Sequence, residues 1–221
     1  MPREIGAFLF YQSFKPAKLY PMKTVYLIRH GKAENPTGVF YPPETPLSQQ
    51  GVHQAQAIAQ DILKANCHPI RIVCSPYLRT RETAEIIAQT LNNNALETDE
   101  HLIEWQVGGW FGKPLNAFRT AAGYDQEPFH LQLTDVEPFE KMSTRIIATI
   151  QDTLSKIPEN SCAIIVSHRE PMVSAILALQ RKPNWEDIPK LDFLPGSGWR
   201  LDFKGTELIS AIKAFDRSNV T

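Results

Sequence analysis

No apolar run in the 221-residue chain approaches the roughly 18 to 20 residues that a helix needs to cross a bilayer, so no membrane partner is expected. Charge of one sign is lacking too. With 23 Lys and Arg against 24 Asp and Glu, the chain has no basic excess to hold nucleic acid, and any cluster of arginines must be local. Cysteine is scarce. Cys67, Cys74 and Cys162 are an odd number without metal-like spacing, and the six histidines contain no His-x-x-x-His pair, so the sequence implies neither a metal nor any other cofactor. Cys74 and Cys162 fall in expected core strands, and we read the cysteines as buried and reduced, which fits the cytoplasm. The apolar stretch Gly6 to Tyr11 is short and lacks a small-residue cleavage pattern after it, which argues against a signal peptide.

What is present suits one α/β domain with a substantial core, 43% of the residues being hydrophobic. The stretch Thr24 to Gly31 organises the rest. Val25 to Ile28 is an unbroken apolar run of the kind that forms a strand buried on both faces, and it ends on Arg29 and His30. Ligands gather beyond the carboxyl ends of strands in open α/β sheets, so this pair is delivered to where a site would form. Gly31 is expected to turn the backbone and leave room for a ligand. Two later runs end similarly: Ile70 to Cys74 leads to Ser75, Pro76 and Arg79, and Ala163 to Val166 leads to Ser167, His168 and Arg169. Three strands thus bring two histidines and up to three arginines to one edge.

Helices are expected over Gln49 to Ala65 with Ser48 as N-cap, from Pro76 with Ser75 as N-cap, over Pro138 to Ile157, and over Pro171 to Gln180. The last would point its first amides at the same edge and favour a phosphate there. Trp199 to Phe203 and Leu208 to Phe215 flank Lys204-Gly205-Thr206 and read as a closing hairpin. Arg79 falls in the opening turn of its helix, where the dipole gives a cation little, a placement that makes sense if it binds an anion. Arg81 and Glu82 read as surface charges. The proline-punctuated loop Lys32 to Pro46 is of a length that is usually functional or mobile. Trp105, Trp110, Phe111, Phe118, Tyr124 and Phe129 give the irregular stretch Asn92 to Asp135 an aromatic surface, as a pocket wall or as local core.

From about Met22 onward the chain resembles the histidine phosphatase superfamily, also called phosphoglycerate mutase-like. Arg29-His30-Gly31 looks like its signature. Matches follow in order at Pro46-Leu47-Ser48 with Gly51 and Gln54-Ala55; at Ser75-Pro76-Tyr77-Leu78-Arg79 with Thr83-Ala84; at Leu102-Ile103-Glu104 with Gly108 to Gly112; and at Ser167-His168. The resemblance implies a three-layer α/β/α sandwich whose mostly parallel central sheet has an antiparallel edge. Residues 22–221 would form the catalytic domain. Residues 1–21 would be a peripheral extension, or would precede a true start at Met22, unless Phe8, Phe10 and Phe14 pack onto the body.

The resemblance further implies metal-independent hydrolysis of a small phosphomonoester, with His30 as nucleophile and Glu104 as general acid and base. Arg29, Arg79 and His168 would hold the phosphoryl group; we expect Gly31, Lys32 and Arg169 of this chain as further substrate contacts. The positive field of the arginines should keep His30 neutral. Without the resemblance, Glu104 reads as a salt-bridge partner. Two positions depart from the family pattern. Lys32 stands where an acidic residue or glutamine is common, and Arg169 replaces the usual glycine, where it either crowds the phosphate pocket or binds a second anionic group. The rival functions are a phosphoglycerate mutase-type phosphotransferase, disfavoured by the short segment from Glu104 to Pro138, and a non-catalytic phospholigand-binding protein.

Overall fold

The computed structural model describes residues 21–35, 38–124, 133–180 and 191–220; Phe8, Phe10, Phe14, Phe129 and the expected N-terminal extension lie outside them, apart from Pro21. Six strands form one sheet: β1 (Lys23–Arg29), β2 (Pro69–Cys74), β3 (Leu96–Thr98), β4 (Cys162–Ser167), β5 (Ser197–Lys204) and β6 (Glu207–Asp216). Their order is β3-β2-β4-β1-β5-β6, with β3, β2, β4 and β1 parallel and the β5–β6 hairpin antiparallel at one edge. The α-helices among the described residues are α1 (Gln49–Lys64), α2 (Leu78–Thr90), α3 (Leu115–Ala122), α4 (Phe139–Lys156) and α5 (Arg169–Leu179).

The strand alternation builds the layers. On β1, Val25 and Leu27 face a core shared with Met142, Ile146, Ile150 and Val173 of α4 and α5. Tyr26 and Ile28 face the opposite core, with Ile58, Ile62, Ala84 and Ile87 of α1 and α2. Val25 to Ile28 are therefore buried on both sides of the sheet, and the fold is the expected α/β/α sandwich.

Local chemistry sets most boundaries. Ser48 caps α1 by accepting from the Gly51 amide at 3.2 Å. The second helix begins later than Ser75 and Pro76 suggested: Tyr77 is its N-cap, and Ser75 Oγ is shared between the Tyr77 amide, at 3.3 Å, and a histidine described below. In the other direction, α5 starts at Arg169 with His168 as N-cap, two residues before Pro171. Glu82 is no free surface charge, since its Oε2 accepts the Leu47 amide at 2.6 Å and ties down the end of the loop after His30. Trp105 and Phe118 are core residues, 2% and 1% exposed, with Trp110, Phe111 and Tyr124 packed against that core, so the aromatics are local core before they are a pocket wall.

One reading of the cysteines is corrected. Cys67 and Cys162 are joined in a disulfide, and only Cys74 is a free, buried thiol, pushed up to about 12 by burial. Pro69 and Thr24 lie beside Cys162 in register, so the bond sits at the amino ends of the strands, away from Arg29 and Ser75. Two of the three cysteines thus cease to support a reducing compartment.

Gly31 also serves another purpose than expected. A Cβ built there would come within 2.8 Å of the Gly51 Cα and 2.9 Å of its carbonyl carbon, so the missing side chain admits the backbone of α1 rather than a ligand. Both obstructing groups are main chain and cannot rotate aside. Gly31→Ala is expected to lower unfolding stability by roughly 1–3 kcal/mol in urea titration, as overpacking does.

Candidate active site

The register of three adjacent strands assembles the site. Arg29 lies beside Ser167, and Cys74 beside Val166, so β1, β2 and β4 finish level with one another, β4 in the middle. The alignment continues one residue further: the His30 amide donates to Ser167 O at 3.2 Å and the Ser75 amide to Val166 O at 3.0 Å. After the strand, the turn is held by Thr83 Oγ1, which accepts the Gly31 amide at 3.1 Å, and by buried Gln54, whose Oε1 accepts the Lys32 amide at 2.8 Å.

Arg79 is the hub. Its Nε–H donates to His30 Nε2 at 3.2 Å, one terminal nitrogen lies 3.1 Å from His168 Nδ1, and the other donates to Pro42 O at 3.1 Å. The side chain is 1% exposed, and its guanidinium carbon lies 5.5 Å and 5.2 Å from the ring centroids of Tyr41 and Tyr77, which hold it from two sides. The imidazoles of His30 and His168 meet with centroids 5.2 Å apart.

These bonds fix the tautomers. His30 Nδ1 is 2.7 Å from Gly31 O, an acceptor, so it carries the proton and leaves a lone pair on Nε2. His168 takes the reverse form: Nδ1 faces the donor Arg79, and Nε2–H donates to Ser75 Oγ at 3.0 Å. Both rings are held well below the usual histidine range, first by burial and then by Arg79. The arginine field invoked from sequence is therefore real but second to desolvation.

Glu104 follows a short 3₁₀ turn, Glu100–Leu102, and reaches the same place. Its Oε1 accepts the Trp105 amide at 2.9 Å and its Oε2 lies 3.7 Å from His168 Nδ1. Burial raises its pKa, Arg79 opposing. A carboxyl biased toward its protonated form beside two neutral imidazoles has the character of a proton donor.

Arg29 donates to Phe193 O at 2.6 Å, while its Nε–H is buried without an acceptor. Such a group costs roughly 1–3 kcal/mol until it finds one. Arg169 stands at the start of α5, paired with Glu170, whose Oε2 accepts from Tyr124 Oη at 3.2 Å. Burial lowers the pKa of Arg29, and the Arg169 charge lowers it further. Lys32 is solvent-exposed and lends the site its backbone, its carbonyl accepting from Ser48. Among the described residues, no three His, Cys, Asp or Glu side chains are grouped to hold a metal ion.

Ser75, Tyr77 and Thr83 were quoted in the family motif without roles, and the structure gives them contacts. Tyr41, Gln106 and Glu170 carried no local signal. Tyr41 and Gln106 reach the site from two separate loops, Gln106 donating to Tyr77 Oη at 3.3 Å, and Glu170 from a helix start; their spacing predicts nothing about what lies opposite.

Buried neutral imidazoles make folding sensitive to acid. Below about pH 6.5 the unfolded chain binds protons at His30 and His168 that the folded chain resists, so stability rises with pH up to that value and falls as pH drops below it, by up to roughly 1.4 kcal/mol per unit for each ring. Glu104 opposes this. Its raised folded pKa gives a contribution that is present below its unfolded value, near 4.5, and lost as pH rises through the folded one. Urea midpoints should therefore fall from pH 6.5 to pH 5, and less steeply in a His168→Asn variant.

A mostly parallel α/β sheet that presents two neutral histidines, one buried and one half-buried arginine and one protonation-biased carboxyl at its carboxyl edge defines a phosphoryl-transfer class of site. The chain belongs to the histidine phosphatase superfamily (branch 1), whose family model matches residues 25–210, and this places it among that superfamily's phosphatases and mutases. An uncharacterised protein of Mycobacterium tuberculosis is 28% identical over 85% of this chain and 94% of its own length. The probable phosphoglycerate mutase GpmB of Proteus mirabilis is 30% identical over 66% of this chain and 70% of its own. The solved mycobacterial glucosyl-3-phosphoglycerate phosphatase superposes with a TM-score of 0.72 at 18% identity, over 87% of this chain and 97% of that one, and so shares the fold.

Proposed function

We propose that the protein hydrolyses a small phosphomonoester through a phosphohistidine on His30. The observation that carries this is the lone pair on His30 Nε2, made available by the Nδ1–H to Gly31 bond and facing the Arg79 guanidinium. A substrate phosphate competes for Arg79 and for the unpaired Nε–H of Arg29, releasing Nε2 to attack phosphorus. As the N–P bond forms, the P–O bond to the alcohol breaks, and Glu104 gives its proton to the departing oxygen. Water then attacks phospho-His30 as the Glu104 carboxylate removes its proton; the P–N bond breaks, and inorganic phosphate leaves with Nε2 restored. His168, kept neutral and close to Arg79, stabilises the transferring phosphoryl group. Arg169 is proposed as a substrate contact on the side of Arg29, and the backbone turn at Gly31 and Lys32 as the support beneath it.

Hydrolysis is preferred to mutase chemistry because the segment from Glu104 to Pro138 is short and commits Trp105 and Phe118 to the core, leaving little chain to enclose an intermediate until it is transferred back. Incubation with a labelled phosphomonoester and a sugar-acid acceptor tests the pair: label is expected in inorganic phosphate, and label in a second ester would sink the hydrolase reading. A cytoplasmic location stays a proposal resting on composition, and the Cys67–Cys162 disulfide weighs against it.

A further inference from the structure

The segment that carries Glu104 has almost no secondary structure of its own, yet its carboxylate must stand within reach of His168 and a leaving group. What holds it is a side chain on another element. Arg145 of α4 donates to His101 O at 2.6 Å, to Ile103 O at 2.7 Å and to Glu104 O at 3.2 Å, three carbonyls in a four-residue stretch that has no helical ladder to satisfy them. The same guanidinium is oriented by a two-oxygen fork with Glu137, at 2.7 and 2.9 Å. Glu137 closes the frame from the other side: its Oε2 accepts the Gln106 amide at 3.3 Å, its carbonyl accepts Trp105 Nε1–H at 2.8 Å, and its amide donates to Gln106 O at 2.7 Å. Every residue from Ile103 to Gln106 is thereby bonded to Arg145 or Glu137.

The pair is buried, with side chains 12% and 5% exposed. Buried ion pairs are weak stabilisers, because desolvation consumes most of the attraction, and apolar replacements often fold as well. Fixing a backbone conformation is something an apolar pair cannot do. Resting on the assignment of Glu104 as the acid, we propose that the Arg145–Glu137 pair is the positioning device of the general acid: it acts through the main chain of residues 101–106 and touches neither substrate nor phosphorus.

A displaced acid has a signature that a general loss of structure lacks. Alkyl alcohols need a proton to leave, whereas p-nitrophenolate departs without one, so misplacing Glu104 should slow alkyl phosphates selectively. The experiment compares kcat/KM on p-nitrophenyl phosphate and on an alkyl phosphomonoester for wild type, Glu104→Gln, Arg145→Met and Glu137→Gln. Glu104→Gln sets the reference. Arg145→Met is expected to depress the alkyl substrate at least ~30-fold more than the aryl one, a partial loss of the ~100- to 10,000-fold that general acid catalysis contributes. Glu137→Gln, which keeps the volume but sets an amide N–H against the guanidinium, should do so to a smaller degree and decides the matter if Arg145→Met does not fold. If Glu104→Gln is selective for alkyl substrates while both other variants slow the two substrates equally or not at all, the positioning role is overturned. If Glu104→Gln shows no selectivity, the acid assignment itself fails, and this proposal goes with it.

Discussion

His30→Ala is expected to lower kcat/KM on p-nitrophenyl phosphate by about four orders of magnitude, some 5–6 kcal/mol of transition-state stabilisation, and to abolish the acid-labile phosphoenzyme trapped by rapid quench. The size of the effect follows from geometry. Arg79 and Arg29 remain able to bind a phosphate after the change, so KM should move little and the loss should fall on kcat. Neither a neighbouring hydroxyl nor His168 can take over. His168 Nε2 is committed to Ser75, and its Nδ1 lies 3.1 Å from an Arg79 terminal nitrogen and 3.7 Å from Glu104 Oε2. Turnover equal to wild type, or a phosphoenzyme surviving in the variant, would remove His30 from the centre of the chemistry; absence of turnover in the wild type would leave a phospholigand-binding protein as the better reading.

Most of this site was legible because its residues sit at strand ends. Apolar runs ending on Arg29-His30, Ser75 and Ser167-His168 are local patterns, and the rule that ligands gather at the carboxyl edge of a parallel sheet brings them together without any knowledge of register. The boundaries of β1, β2 and β4 fell within about two residues for the same reason, since burial on both faces writes a continuous apolar run. The errors have a common cause. Ser75 has the look of a helix cap because serine before proline usually is one, but its hydroxyl accepts the amide of Tyr77, itself the N-cap, and also the His168 imidazole from the neighbouring strand end. Gly31 has the look of a ligand-side glycine, and only the position of α1 reveals that Gly51 fills the space. Cys67 is half a chain from Cys162, and nothing in the spacing says that their Cα atoms stand 6.4 Å apart. The α3 helix and the β3 strand are too short, at 8 and 3 residues, to impose a period on their surroundings. Pairings between distant segments decide these features, and periodicity does not record pairings.

Arg79→Met should cost about a thousandfold in kcat/KM, the range seen when a guanidinium is removed from a transferring phosphoryl group. Arg79 differs from Arg29 in bonding to both imidazoles, so its removal does more than subtract a phosphate contact. It lowers the pKa of His30 and of His168, and it is the largest charge opposing the upward shift of Glu104. Without it, His30 should hold a proton at higher pH, and the acid limb of kcat/KM should move upward relative to wild type. At the alkaline side, Glu104 should keep its proton longer and extend the limb reporting the acid. Arg79→Lys separates the two roles: a lysine keeps the charge but cannot span His30, His168 and Pro42 in one plane, so it should restore much of the pH profile while recovering only part of the rate. A pH profile in Arg79→Met superimposable on wild type, whatever its height, would show that the guanidinium holds phosphate alone and that burial by itself keeps the nucleophile uncharged.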